Sequence, residues 1–266
     1  MSKTKRTIFW VLLIHVFAVG LTVVGIKIYR RTKPSHFVGT SNRDRGQSNH
    51  AGYLFGIDVS HHQGNINWKK VRTSRHEIKF VFVRASYGAL KRDGKFKRNW
   101  RALQKESYLI GAYHYFKSNQ SGASQWYFFD HIVDLKQGDF PPVLDIEDAP
   151  RISSAKAIKK WKKNLKVWAD LAEKKYGKKP IIYSGRKFYE THLKTLFPAD
   201  QYPLWVAQYP SKKAVISYSP KSKIRHLNWT LHQFSDHIGV KGIPVGSYAD
   251  GNDFNGTMAA LKALTL

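Results

Sequence analysis

Seven short, nearly continuous apolar runs, rich in β-branched and aromatic residues, alternate along the chain with amphipathic or polar segments. They are YLFGIDVS (53–60), FVFVRASYG (80–88), LIGAYHYF (109–116), PPVLDIED (141–148), PIIYSG (180–185), LWVAQY (204–209) and WTLHQFSD (229–236). A strand with one face in water alternates polar and apolar residues, whereas a strand covered on both faces reads as an unbroken apolar run. The pattern therefore predicts an α/β fold with a parallel sheet, and seven or eight strands predict closure into a barrel. The clearest helix separates the fourth and fifth runs. There Ile158, Trp161, Leu165, Trp168 and Ala172 recur at three- and four-residue spacing with lysines on the other face. Ser153 or Ser154 can cap its start, and Gly177 with Pro180 marks its end. Phe96, Trp100 and Leu103 form a shorter stripe after the second run. From Leu204 onward the spacers have little helical period, so the last third of the barrel is expected to be irregular. No internal repeat is visible.

Ahead of these runs, residues 7–26 (TIFWVLLIHVFAVGLTVVGI) carry no formal charge. Twenty such residues suffice to cross a bilayer core. The expected organisation is a membrane anchor over residues 1–29, a polar linker over 30–52 and one domain over 53–266. A cleaved signal peptide is the alternative, since Ala18-Val19-Gly20 offers small residues at a cleavage spacing, and it would make the protein secreted. Either reading places the domain outside the cytoplasm, periplasmic or at the cell surface. The chain lacks cysteine, which excludes disulfides, thiolate metal sites and thiol catalysis. Residues 34–266 hold 38 Lys+Arg against 18 Asp+Glu, so the basic balance belongs to the domain. Outside the cytoplasm that charge suits anionic envelope polymers or lipid head groups, and no nucleic-acid partner is expected.

Against this basic background PPVLDIED gathers three acids at the end of a buried strand. Residues two apart on a strand share a face, so Asp145 and Glu147 point together while Leu144 and Ile146 face the helices. The same parity sets Asp58 apart from Ile57 and Val59. Parallel barrels place their sites at the C-terminal ends of strands, where these acids lie. YADGNDFNG adds Asp250 and Asp253, and Tyr113, Tyr115, Trp205, Gln208, His232 and Gln233 sit at comparable strand ends. Acids ringed by aromatics and amides suit glycoside hydrolysis. One carboxyl must keep a proton for the leaving oxygen, and a second anion must support an oxocarbenium-like transition state. A divalent metal on His61 and His62, serving a polysaccharide deacetylase, is the alternative. Adjacent residues on a continuing strand point to opposite faces, which makes these two a poor ligand pair.

The blocks GIDVSHHQGNINW, FVRASYG, GAYHYF, PPVLDIED, YSG, LWVAQY and ADGNDFNG, in this order, resemble glycoside hydrolase family 25, the Chalaropsis-type lysozymes or N-acetylmuramidases. The resemblance covers the chain from Tyr53 to its end. It implies a modified TIM-like barrel of five β/α units followed by three strands with little helix. It also implies Glu147 as general acid, Asp145 as the group that holds the substrate's N-acetyl or assists Glu147, and Asp58 and Asp250 as the rest of an acidic floor. Asp250 is preferred to Asp253 because DGNDFNG fits the family's D-x-N-x-F-N-G run, pairing Asp250 with Asn252. Tyr113, Trp205 and Gln233 take substrate-contacting positions. The implied reaction hydrolyses the β-1,4 bond from N-acetylmuramic acid to N-acetylglucosamine in peptidoglycan glycan strands, by a monomer needing no metal or organic cofactor. Two positions depart from the family. Tyr87 stands where many relatives have the acid of a K-A-[ST]-E-G run, and His62 stands where many have Trp. Tyr87, which is not an anion at neutral pH, favours a second alternative, a glycan-binding module without catalysis on the same fold.

Overall fold

In the computed structural model, residues 53–74, 77–151, 154–209, 224 and 226–266 are described. The expected anchor over 1–29, the linker over 30–52 and the candidate cap Ser153 lie outside them. Among the described residues no helix is long and apolar enough to cross a membrane.

The apolar runs become strands whose alternate residues sort into two separate cores. Phe80, Phe82, Val143, Ile181, Tyr183, Trp205, Leu231 and Phe254 pack on one side of the sheet, while Ile57, Val81, Val83, Leu144, Ile182 and Val206 pack on the other with the helices. The strands are β1 (Leu54–Val59), β2 (Phe80–Tyr87), β3 (Lys91–Arg92), β4 (Leu109–Tyr115), β5 (Val143–Asp145), β6 (Ile181–Gly185), β7 (Leu204–Ala207), β8 (Leu231–Ile238) and β9 (Ala249–Phe254). Their order is β1-β9-β8-β7-β6-β5-β4-β2-β3, and β1 also pairs with β2, which closes an eight-stranded barrel with β3 as a hairpin appendage. Phe82 of β2 reaches Trp205 of β7 across the interior, ring centroids 4.7 Å apart. Glycine makes this filling possible: a Cβ at Gly56 would stand 2.3 Å from the Phe80 ring, and one at Gly111 would stand 2.4 Å from the Phe82 ring.

Five strands are followed by helical segments, as expected. They are α1 (Trp68–Val71) after β1, α2 (Phe96–Leu103) after the β2–β3 hairpin, and α3 (Gly122–Ile132) after β4. α4 (Ala155–Tyr176) follows β5, and α5 (Arg186–Phe188) follows β6 and runs on into a π-helical turn over Tyr189–Leu193. The stripe on α4 buries Trp161, Leu165, Trp168 and Ala172; Ser154 caps its start, and Gly177 ends it at φ 68°. Phe96, Trp100 and Leu103 are the buried apolar face of α2. Between β8 and β9 there is no helix, and α6 (Met258–Ala263) closes the chain.

One expectation is corrected. The sheet is not wholly parallel, because β9 runs antiparallel to both β8 and β1. The connection over residues 239–248 explains this. A parallel return needs a crossover of a dozen or more residues, commonly helical, whereas an antiparallel return needs only a short loop.

Candidate active site

The C-terminal ends of the parallel strands surround a cavity of about 400 Å³. Asp58, Arg84, Tyr113, Tyr115, Asp145, Glu147, Tyr183, Trp205, Gln233 and Asp250 line it, with His62, Gln63, Tyr209 and Asp236 nearer its mouth. Reversal of β9 explains how a residue near the start of that strand joins residues at the ends of the others: Asp250 pairs in register with Asp58. Parity then turns Asn252 and Phe254 inward with Asp250, while Asp253 is buried on the other face beside Tyr53.

Asp58 is nearly fully buried and sits at the centre of a polar network. Its Oδ2 accepts from Gln233 Nε2 and Asn252 Nδ2, each at 2.8 Å. Both amides are oriented by other groups. Gln233 Oε1 accepts from the Tyr183 hydroxyl (2.8 Å) and the Tyr209 hydroxyl (2.6 Å), and Asn252 Oδ1 accepts from Trp205 Nε1 (2.8 Å). Burial raises the Asp58 pKa, and these amides together with Asp250 pull it back. Asp250 has no such amides on its carboxyl. Burial first, and then the charge of Asp58, push it up to about 9. Within the pair the proton therefore rests on Asp250, which donates a hydrogen bond to Asp58.

Asp145 and Glu147 form the second pair. The backbone of this segment is clamped between neighbouring strands: Phe116 N donates to Asp145 O, Ile146 N donates to Tyr183 O, and Ser184 Oγ donates to Ile146 O. Asp145 is 4% exposed, whereas Glu147, just beyond the strand, is exposed in the cavity. Their side chains share a hydrogen bond, and both pKa values are raised, by burial first in each case. The Glu147 charge adds to the rise at Asp145, and the Asp58 charge adds to it at both. The shared hydrogen bond raises Asp145 and lowers Glu147, so in the free protein the proton of the pair rests on Asp145, which donates to Glu147.

Arg84 is the cation facing these acids, and it lowers the pKa of Asp145 and Glu147. A register shift in β2 between Arg84 and Ser86 leaves Arg84 in line with the inward Phe80 and Phe82, while Ser86 Oγ meets the buried His114 Nδ1 at 2.7 Å. Arg84 Nε donates to Asp93 Oδ2 at 3.0 Å, and its guanidinium also touches His61 Nδ1. Asp93 further accepts from the backbone of His61 (3.0 Å) and Lys95 (2.9 Å). Burial would raise Asp93, but these donors outweigh it and hold the carboxyl below its usual range.

Eight of the ten residues singled out in the sequence line the cavity: Asp58, Asp145, Glu147, Asp250, Tyr113, Trp205, Gln233 and His62. Trp205 is 2% exposed and forms floor rather than wall, and Asn252 lies beneath, wholly buried. Tyr87 stands outside, on the rim, with its ring 5.8 Å from Tyr115 and with Lys91 and Lys117 ammonium groups 5.5 Å from its centroid. His61 and His62 do not diverge on a continuing strand. They start a 3-10 turn, His61–Gln63, capped by Ser60, and their ring centroids lie 4.1 Å apart with the planes tilted by 37°. His61 is committed to Asp93 through Nδ1 at 2.9 Å, and His62 faces the cavity with its pKa lowered, by burial first. Of the strand-end residues, His232 is fully buried and bonds to Gln208 O. Arg84, Tyr183 and Tyr209 were not anticipated. Arg84 and Tyr183 share the parity of inward Phe82 and Ile181, so period-two counting could have found them. Tyr209 lies past the end of β7, where no such count applies.

Two carboxyl pairs and aromatic walls at the strand ends of a closed barrel define a glycoside hydrolase. Residues 57–243 match the model of the glycosyl hydrolases family 25, and the chain belongs to that family. It is 35% identical over 277 residues to the uncharacterized protein YegX of Escherichia coli O6:H1, covering 97% of this chain and 94% of that one. It is 30% identical over 236 residues to Lysozyme M1 of Streptomyces globisporus, covering 85% of this chain and 76% of that one. Among solved structures, a family 25 glycosyl hydrolase from Bacillus anthracis matches with a TM-score of 0.68 at 26% identity, over 86% of this chain and all of that one.

Proposed function

We propose that this protein is a lysozyme-type muramidase that hydrolyses the β-1,4 bond between N-acetylmuramic acid and N-acetylglucosamine in peptidoglycan. The observation that carries the reading is the Asp145–Glu147 pair, one member buried, the other open to the cavity, sharing a proton under raised pKa values. Glu147 is the general acid, since it reaches the space a leaving oxygen would occupy. Asp145, beside Glu147 in the cavity lining, receives the substrate's acetamido N–H on its carboxyl. That hydrogen bond favours the Asp145 anion, so the shared proton passes from Asp145 to Glu147, where protonation of the leaving group needs it. Asp58, whose anion is favoured by two amides and by Asp250, supplies negative charge opposite the developing oxocarbenium ion, and Asp250 is a neutral donor. Tyr113, Tyr115 and Tyr209 form walls for the sugar rings. Kinship with Lysozyme M1 supports peptidoglycan as the polymer. The apolar run over residues 7–26 supports a domain tethered to a membrane and working outside the cytoplasm.

The test is to incubate the protein with purified peptidoglycan and identify the new reducing ends by mass spectrometry. Reducing-end N-acetylmuramic acid supports the reading. Reducing-end N-acetylglucosamine, or acetate release without chain cleavage, refutes it.

A further inference from the structure

On the outer flank of the barrel a second cavity, about 480 Å³, lies between α2 and the segment at and after the end of α3. Its depth is lined by Phe96 and Trp100, stacked with ring centroids 5.4 Å apart and both at least nine-tenths buried. Four exposed cations surround it: Arg92 of β3, Lys97 and Arg101 of α2, and Lys136. None of the four forms an ion pair within 4.0 Å among the described residues, and the acid lining the cavity is Asp134. Lys97 and Arg101 stand four residues apart on one helix face, a like-charge pair that disfavours the helix. Such crowding around a concave surface is relieved when an anion enters it.

The β2–β3 hairpin divides this cavity from the catalytic cleft. Tyr87, on the cleft rim, pairs in register with Lys91, and the next residue, Arg92, turns to the opposite face and lines the second cavity. A polymer in the cleft therefore has its side arms one hairpin away from four cations that form no ion pair among the described residues. We infer that this cavity binds the carboxylate-bearing peptide stems of the wall polymer whose glycan occupies the cleft, an inference that rests on the muramidase reading. A short acidic peptide fits a concave site with several cations and an aromatic floor.

The test compares the full chain with its Arg92→Gln/Lys97→Gln/Arg101→Gln variant, which alters only exposed side chains and should melt as the parent does. Both are sedimented with intact peptidoglycan, with peptidoglycan stripped of its stems by an amidase, and with anionic phospholipid vesicles. The expected result is roughly tenfold weaker binding of the variant to intact polymer, with unchanged binding to stripped glycan. Unchanged binding throughout, equal loss on both polymers, or a loss confined to vesicles overturns the inference. Muropeptide release by the parent is scored separately. Its absence would sink the muramidase reading, while the sedimentation result would still decide the cavity.

Discussion

Asp58 and Asp250 face each other across the antiparallel β1–β9 pair, and the side-chain amides of Gln233 and Asn252 serve the carboxylate of Asp58 alone. That asymmetry leaves the anion on one and the proton on the other. Between its ordinary value of 3.8 and about 9, Asp250 keeps a proton in the folded chain that the unfolded chain releases. Rising pH across this window therefore destabilises the fold, with a slope of at most about 1.4 kcal/mol per unit from this group. Asp250→Asn, which mimics the protonated form, should melt higher than the parent at pH 8, and the two should converge at pH 4. Thermal denaturation at both pH values checks this, and parallel curves at all pH values would contradict it.

Arg84 tunes the catalytic pair from the other side of the cavity. Removing its charge raises the pKa of both Asp145 and Glu147, so Arg84→Gln should move the whole bell-shaped pH profile of kcat/KM in the alkaline direction. A profile lowered in height but fixed in position would mean that Arg84 only supports Asp93 and His61.

Tyr87 occupies a rim position, away from both carboxyl pairs and between two lysines. Tyr87→Glu should fold with stability within about 0.5 kcal/mol of the parent and change peptidoglycan cleavage less than Glu147→Gln does. A gain of activity from nothing would instead favour a recognition module that has lost its catalytic acid at this position.

Gly56 is a packing requirement rather than a flexible joint. A methyl group there meets the Phe80 ring at 2.3 Å inside a filled barrel. Gly56→Ala should cost about 1–3 kcal/mol in chemical denaturation, and a neutral result would show that the interior has room.

Much of this was legible in the sequence because strand parity carries it. Unbroken apolar runs announced two cores, and counting by two from Ile57 and Leu144 placed Asp58, Asp145 and Glu147 on the cavity side. The resemblance of DGNDFNG to the family's D-x-N-x-F-N-G run favoured Asp250 over Asp253, and the fold turns Asp250 to the cavity and Asp253 to the other face. What parity could not show was direction, because β9 is antiparallel through the length of the loop before it, not through any residue within it. It also could not show the turn at His61, where the strand stops and brings together two rings that a continuing strand would separate. The network on Asp93 was hidden for a different reason: its partners, His61 and Arg84, are 32 and 9 residues away and meet only in the fold.

The central claim is that Glu147 donates the proton. The most direct measurement sets the parent beside Glu147→Gln on purified peptidoglycan, scoring muropeptide release together with sedimentation and melting temperature. The account predicts release reduced about 10²- to 10⁴-fold, with polymer binding and folding retained. Release within a few-fold of the parent would contradict it and move the general acid to another carboxyl in the cavity.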